Sequence, residues 1–337
     1  MSTQANPGPS HNGVLHEYAP RLVAFEFTSP SKSSKPNSLI FVGGLTDGFC
    51  TVPYVSKLSA ALEPTDWSLF SILLSSSYNG FGVGSLDKDV EEIGQCVSFV
   101  RNLKASQSGK VVVMGHSTGS QDVLHYLHSP NPIPKNPDFD VGLKQIERPK
   151  LDGAIMQAPV SDREAVLYIM KTSEKSNEVR GVYDQLVSSA RTLPWTDDKV
   201  DTILPMNMTA RLGLPGDAPL SARRFLSLLS PDSPQNPAAD DLFSSDLSDQ
   251  RHQETFGQIG ARGLLQSKLL ILYSGSDEYC PPWVNKEQLI ERWQRATEAG
   301  GAAFDANGGV VPQASHNVKA EGQQDLIQRV LRYIQGL

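Results

Sequence analysis

Short apolar-rich runs alternate with stretches of helical spacing along most of this chain. Leu39 to Val42, Trp67 to Leu74, Val111 to Met114 (V-V-V-M), Leu151 to Ala158 and Lys268 to Tyr273 (K-L-L-I-L-Y) are runs of four to eight residues. Runs of this length, rich in β-branched and aromatic residues, predict strands buried on both faces. Between them, Thr51 to Leu62 carries Val55, Leu58 and Leu62 at helical spacing, and Leu86 to Leu103 carries Val90, Ile93, Val97 and Val100 on one face. Helical spacing returns near the end, where Val318 to Ile334 turns Leu326, Val330, Leu331 and Ile334 to one side. Strand and helix thus alternate from Leu39 onward, which predicts an α/β protein with a mostly parallel, doubly wound sheet. Arg21 to Thr28 (R-L-V-A-F-E-F-T) reads as one further strand, and Ser29 to Ser38 as a polar turn after it. Ser129 to Lys150, with Pro130, Pro132, Pro134, Pro137 and Pro149, reads as a surface excursion.

The alternation breaks once. About 110 residues separate the strand ending at Ala158 from the one starting at Lys268, and a structureless loop of that length is implausible in a compact domain. Asn177 to Ala190 and Ser221 to Leu229 have helical apolar spacing, while Thr192 to Asp201 and Pro231 to Ala239 are loop-like. The expected organisation is a frayed start over residues 1–20, a core from 21–159 and 262–337, and an inserted, mostly helical lid over 160–261.

Composition narrows the partners. The 337 residues carry a net charge of −7 with no basic run, so no stripe exists for phosphate backbones and a nucleic-acid partner is excluded. No run approaches the ~18 consecutive apolar residues of a membrane span, and the Ser/Pro/Asn-rich start has no apolar signal region. The three cysteines, Cys50, Cys96 and Cys280, are widely spaced, which favours a reducing compartment over a disulfide framework. The reading is a soluble cytoplasmic protein with no membrane association, and neither a metal motif nor a cofactor motif is visible.

The chemistry sits at the end of the V-V-V-M strand. Gly115-His116-Ser117-Thr118-Gly119 fits the nucleophile-elbow pattern G-x-S-x-G, and a helical pattern follows at once through Val123, Leu124 and Leu127. A serine on so tight a turn is lifted clear of the sheet, and close packing leaves no room for side chains at Gly115 and Gly119. Ser117 is the expected nucleophile, with the Thr118 backbone N–H at a helix N-terminus, where a developing negative charge is favoured. Gly43 to Phe49 (G-G-L-T-D-G-F) lies at the carboxyl end of another buried strand, where the second oxyanion donor of an α/β-hydrolase arises; the backbone of Gly44 or Leu45 is the expected source. The loop Ser75 to Ser85 also ends a strand on that edge.

Serine needs a base, and the base needs an orienting acid. In this fold they follow in the order Ser, acid, His. Asp277 lies just beyond the Lys268 to Tyr273 strand, with Glu278 as its rival. His316 is the one histidine after them. His11 and His16 fall in the frayed start, His125 and His128 on or past the elbow helix, and His252 in the lid. His116 flanks the nucleophile and is expected to pack under the site. Cys280 near Asp277 reads as a small buried filler.

Together, G-G-L-T-D-G-F at Gly43 to Phe49, G-H-S-T-G at Gly115 to Gly119, Q-A-P-V-S-D-R-E-A at Gln157 to Ala165 and the Asp277/His316 pair resemble the fungal α/β-hydrolases that include fusarinine-type siderophore esterases. The resemblance runs from about Leu22 onward. It implies hydrolysis of ester bonds in hydroxamate siderophores built from acylated N-hydroxyornithine, with iron released inside the cell. The substrate is then a small-molecule ester, a ferric siderophore, whose iron needs no ligand from the protein. Carried over by position, Ser117 attacks, His316 moves the proton, Asp277 holds the imidazole, and Thr118 and Leu45 receive the oxyanion. Asp162, Arg163 and His116 are candidate substrate contacts, with anchoring of the lid as the structural alternative for the first two. Two other functions fit the same residues: a serine carboxylesterase for another bulky ester, or the fold used as a ligand-binding module.

Overall fold

The computed structural model of the protein describes residues 10–28, 35–105, 108–135, 142–192 and 202–337. Residues 1–9 of the expected frayed start, 29–34 of the polar turn, the stretch around Pro137 and 193–201 of the expected lid loop lie outside the described residues. One mixed sheet of nine strands organises the rest: β1 (Gly13–Ala19), β2 (Leu22–Phe27), β3 (Asn37–Val42), β4 (Trp67–Ile72), β5 (Val111–His116), β6 (Gly153–Gln157), β7 (Lys268–Ser274), β8 (Ala303–Phe304) and β9 (Gly309–Val311). The spatial order is β1-β2-β4-β3-β5-β6-β7-β8, with β9 also pairing to β7. β2 runs antiparallel to β1 and β4, and every later pairing is parallel.

The helices are α1 (Tyr54–Leu62), α2 (Leu86–Leu103), α3 (Thr118–His128), α4 (Asp162–Thr172), α5 (Ser176–Thr192), α6 (Met206–Thr209), α7 (Ala222–Leu229), α8 (Asp249–Glu254), α9 (Ile259–Arg262), α10 (Lys286–Ala299) and α11 (Gln323–Gln335). Strand alternation divides the core. On β5, Val111 and Val113 join one cluster with α2, α3 and α10, whereas Val112 and Met114 join the opposite cluster with α1 and α11. Side chains two apart share a face. The central strands are therefore covered on both sides, as their continuous apolar runs require.

Three expectations change. Residues 13–19 are not frayed: they form β1, paired along β2 from Gly13↔Phe27 to Ala19↔Leu22. β1 is an edge strand with only Tyr18 buried, so its sequence shows little apolar signal. The C-terminal helix begins at Gln323 rather than Val318, behind Gly322 in the left-handed conformation. The 160–261 insertion divides by packing. Val166, Leu186, Leu212, Phe225 and their neighbours build a separate apolar cluster, a cap formed by α4 to α7. Leu242, Phe243, Phe256 and Ile259 instead join the main core against Trp293 of α10. The cap thus ends near residue 230, and the rest of the insertion is part of the hydrolase body.

Candidate active site

Ser117 sits between β5 and α3 with φ 56° and ψ −123°, a left-handed conformation that L-residues reach only under constraint. The constraint is visible at both glycines. A Cβ on Gly115 would stand 2.0 Å from the Gly119 carbonyl oxygen, and one on Gly119 would stand 2.6 Å from that of Val42. Backbone opposes backbone at both points, so neither site tolerates a side chain. The Ser117 N–H donates to the Gln157 carbonyl at 2.9 Å, tying the elbow to β6.

His316 lies on the loop after β9, and its Nε2 is 2.8 Å from Ser117 Oγ. Its Nδ1 is 2.8 Å from Asp277 Oδ2. A carboxylate at that distance fixes the proton on Nδ1 and leaves Nε2 free to accept from the serine hydroxyl. All three residues are buried. Asp277 is held in turn, because its Oδ1 accepts the Tyr279 N–H at 3.0 Å. The rival acid is engaged elsewhere: Glu278 Oε2 accepts the backbone N–H of His316 at 2.8 Å. Glu278 thus steadies the histidine loop, and Asp277 faces the ring.

On the other side stands the Gly43 to Phe49 loop. Asp47 turns back and accepts the Gly44 N–H at 2.8 Å through Oδ2 and the Thr51 hydroxyl at 2.7 Å through Oδ1. This corrects the reading of Gly44 as an oxyanion donor, since its one N–H is already committed to a carboxylate. The amides of Leu45 and Thr118 have no hydrogen-bond partner among the described residues. Gly44 still matters for shape: a Cβ there would stand 2.6 Å from Ser117 Cβ. Thr46 carries φ 68°, so the loop is held in a strained form by Asp47.

His116 is buried beneath the site, its ring centroid 5.0 Å from that of His316. Nδ1 meets Gln157 Oε1 at 2.5 Å, and Asn317 Oδ1 lies 2.8 Å from Nε2. Gln157 also accepts from the Tyr54 hydroxyl at 3.1 Å and donates to Ser274 Oγ at 3.0 Å. Burial, reinforced by His316, lowers the His116 pKa to about 4, and Asp47, Gln157 and Asn317 oppose this only in part. His116 is therefore neutral at pH 7, and its single ring N–H donates to one of two facing amide oxygens, Gln157 Oε1 or Asn317 Oδ1. It holds Asn317, the residue after His316, and both line the cavity over Ser117.

A cavity of about 230 Å³ opens over Ser117. Leu45, Thr46, Asp47 and His316 line one side, and the cap residues Ala165, Val166, Ile169 and Leu212 to Pro215 line the other. Asp162 lines it as well; its Oδ2 accepts from Gln121 Nε2 at 2.8 Å, and burial raises its pKa to about 6. Arg163 points elsewhere. Its guanidinium grips Asp246 at 2.7 and 3.0 Å and reaches the Ser233 carbonyl at 3.3 Å, pinning the segment after the cap. Cys280 is a free, partly buried thiol that accepts from the Tyr273 hydroxyl at 3.4 Å and does not line the cavity. Chemically, the arrangement can take a proton from Ser117 onto His316.

Among the described residues, no group of three or more His, Cys, Asp or Glu side chains is arranged for a metal ion. No helix among them is long and apolar enough to cross a membrane.

The family profile described as "Protein of unknown function (DUF1749)" matches residues 1–335. The chain belongs to the DUF1749 family. This DUF1749 protein is 48% identical over 341 residues to the fusarinine C esterase sidJ of Aspergillus fumigatus, with 96% of each chain covered. It is 44% identical over 345 residues to the esterase AN6793 of Emericella nidulans, covering 96% of this chain and 92% of that one. Among solved structures, the siderophore hydrolase EstB from Aspergillus fumigatus superposes with a TM-score of 0.86 at 46% identity, over 98% of both chains. The DUF1749 fold is thus the α/β-hydrolase fold of a fungal family.

Proposed function

We propose that this chain is a serine esterase that hydrolyses ester bonds of fusarinine-type hydroxamate siderophores and releases their iron in the cytoplasm. It is a carboxylic ester hydrolase, and the observation that carries the mechanism is the run Ser117 Oγ, His316, Asp277 with both contacts at 2.8 Å. The 48% identity with a fusarinine C esterase supports the substrate.

In the first half-reaction Ser117 Oγ attacks the ester carbonyl carbon as its proton passes to His316 Nε2. Asp277 holds the imidazolium through Nδ1–H. The carbonyl oxygen becomes an oxyanion and is received by the N–H groups of Leu45 and Thr118, at the N-terminus of α3. His316 then gives the proton to the departing alcohol oxygen, leaving an acyl-enzyme on Ser117. In the second half a water loses its proton to His316 and attacks the acyl carbon, and the proton returns to Ser117 as the acid leaves. His116 stays neutral beside this traffic, so no fixed positive charge opposes the imidazolium 5.0 Å away. Asp162 contacts the bound ester from the cap side, and Arg163 keeps the body segment against it. The iron travels with the substrate.

The test is hydrolysis of a ferric fusarinine-type siderophore and of a p-nitrophenyl ester by wild type and Ser117→Ala, with products resolved by chromatography. The proposal predicts cleavage of both by wild type and of neither by the variant. Cleavage of the small ester alone would remove the siderophore assignment and leave the chemistry.

A further inference from the structure

Among the described residues that line the cavity over Ser117, none is a lysine or an arginine, and two are carboxylates, Asp47 and Asp162. Asp47 is fully engaged, with the Gly44 N–H on one oxygen and the Thr51 hydroxyl on the other. Asp162 is not. Its Oδ2 accepts from Gln121 Nε2 at 2.8 Å, and its Oδ1 has no hydrogen-bond partner among the described residues. Burial raises the Asp162 pKa to about 6, while Gln121, Arg224 and His316 act in the opposite direction, so the group is chiefly an anion at pH 7. Its place at the start of α4, directly after the N-cap Ser161, favours that charge. The cations around it are committed: Arg163 to Asp246, and Arg224 to Asp240 and the Phe81 carbonyl. A carboxylate withdrawn from water and short of one partner gains most from a ligand that brings a positive charge and an N–H donor.

The substrate class carries such a group in the right place. In a hydroxamate unit built from N-hydroxyornithine, the side-chain nitrogen is hydroxylated and acylated, so the carboxyl that remains for an ester is ornithine's own. The α-amine sits on the neighbouring carbon. When Ser117 attacks that carboxyl carbon, a cavity of about 230 Å³ holds the α-amine close to its walls. Three singly charged hydroxamates neutralise Fe³⁺, so the α-amines, ammonium ions at pH 7, are the charges that the ferric chelate retains. N-acetylation removes them.

We infer that Asp162 is a specificity-determining residue: it binds the free α-ammonium of the ornithine unit whose ester is cleaved, and so favours unacylated over N-acetylated substrates. The identity of the ligand rests on the siderophore reading above. Gln121, buried one turn along α3 from Ser117, holds one oxygen of the carboxylate and thereby sets the acid relative to the nucleophile.

The test compares wild type with Asp162→Asn, whose amide has the same shape and can still accept from Gln121; the melting temperature is recorded for both. Two substrate pairs are used. One is a ferric fusarinine-type chelate with its α-amines free or acetylated, and the other is the ethyl ester of Nδ-acetylornithine with its α-amine free or acetylated. In wild type, kcat/KM should be higher for the free amine of each pair by about 10-fold or more, in line with a hydrogen bond between charged groups. In Asp162→Asn the ratio should fall to within about threefold of one, through a raised KM for the free amine. A preference that arises only from the bulk of the acetyl group would survive the substitution and overturn the assignment. An equal fall on both members of a pair, the mark of a purely structural Asp162, would overturn it as well. Wild type that cleaves p-nitrophenyl acetate and neither chelate would remove the siderophore reading alone. The ornithine ester pair then decides the ammonium site: a preference lost in Asp162→Asn upholds it, and no preference in wild type overturns it.

Discussion

Asp47 is the residue whose replacement discriminates most sharply between a built oxyanion site and a merely tight turn. Its two carboxylate oxygens accept from the Gly44 N–H and the Thr51 hydroxyl, at 2.8 and 2.7 Å. Hydrogen bonds to a charged acceptor contribute about 1.5–3 kcal/mol each. They hold Thr46 at φ 68°, a conformation that costs a β-branched residue roughly 1–3 kcal/mol. In Asp47→Ala both anchors vanish, Thr46 relaxes, and the Leu45 N–H turns away from Ser117. Loss of one oxyanion donor costs about 2.7–4 kcal/mol, so kcat for p-nitrophenyl acetate should fall about 100-fold or more. Because the oxyanion exists only in the transition state, KM should stay within about threefold. Asp47→Asn keeps one acceptor, and its kcat should lie between wild type and Ala. A near-normal kcat in Asp47→Ala, or a loss expressed wholly in KM, would refute this account of the loop.

The two acids at the end of β7 should separate cleanly in steady-state assays. Asp277→Asn presents the wrong partner to His316 Nδ1 and should lower kcat by roughly 10⁴-fold, whereas Glu278→Gln keeps an acceptor for the His316 N–H and should stay within about tenfold. In Gly119→Ala the new methyl meets the Val42 and Gly43 carbonyl oxygens at 2.6 and 2.7 Å, so the elbow must shift; activity should be lost and the melting temperature lowered. His116 has a folded pKa of about 4 against 6.5 when free, so it takes up fewer protons folded than unfolded between those values. Its contribution is complete above pH 6.5 and is lost as pH falls toward 4, and its imidazole C–H resonances should stay unshifted from pH 8 to 5. Titration of that resonance near 6.5 would show that burial does not keep it neutral.

The sheet and the elbow were legible because their signals are local. Leu86–Leu103 coincides with α2, whose N-cap Ser85 accepts from the Lys88 N–H at 3.2 Å. Ser117, Asp277 and His316 meet in space as chain order and strand ends led one to expect. Two helices with readable signals are not among the expected elements. α10 has Asn285 as N-cap and buries Leu289, Ile290, Trp293 and Ala296; α4 follows Ser161, whose side chain accepts the Glu164 N–H. Both could have been read from a capping residue ahead of a helical period. Other features were beyond a local reading. β1 exposes most of its residues, so its strand nature depends on its partner rather than on its own pattern. The commitment of Gly44 to Asp47 is set by a side chain folding back across three residues, and the opposite fates of Asp162 and Arg163 by contacts with Gln121 and Asp246 far along the chain.

Covalent labelling bears most directly on the role of Ser117. Wild type is treated with a p-nitrophenyl phosphonate, residual activity on the small ester and on the ferric chelate is followed together, and the modified peptide is identified by mass spectrometry. The account predicts one adduct per chain, on Ser117, with both activities falling in proportion to labelling and no adduct in Ser117→Ala. Labelling at another residue, or chelate hydrolysis that survives complete modification of Ser117, would contradict it.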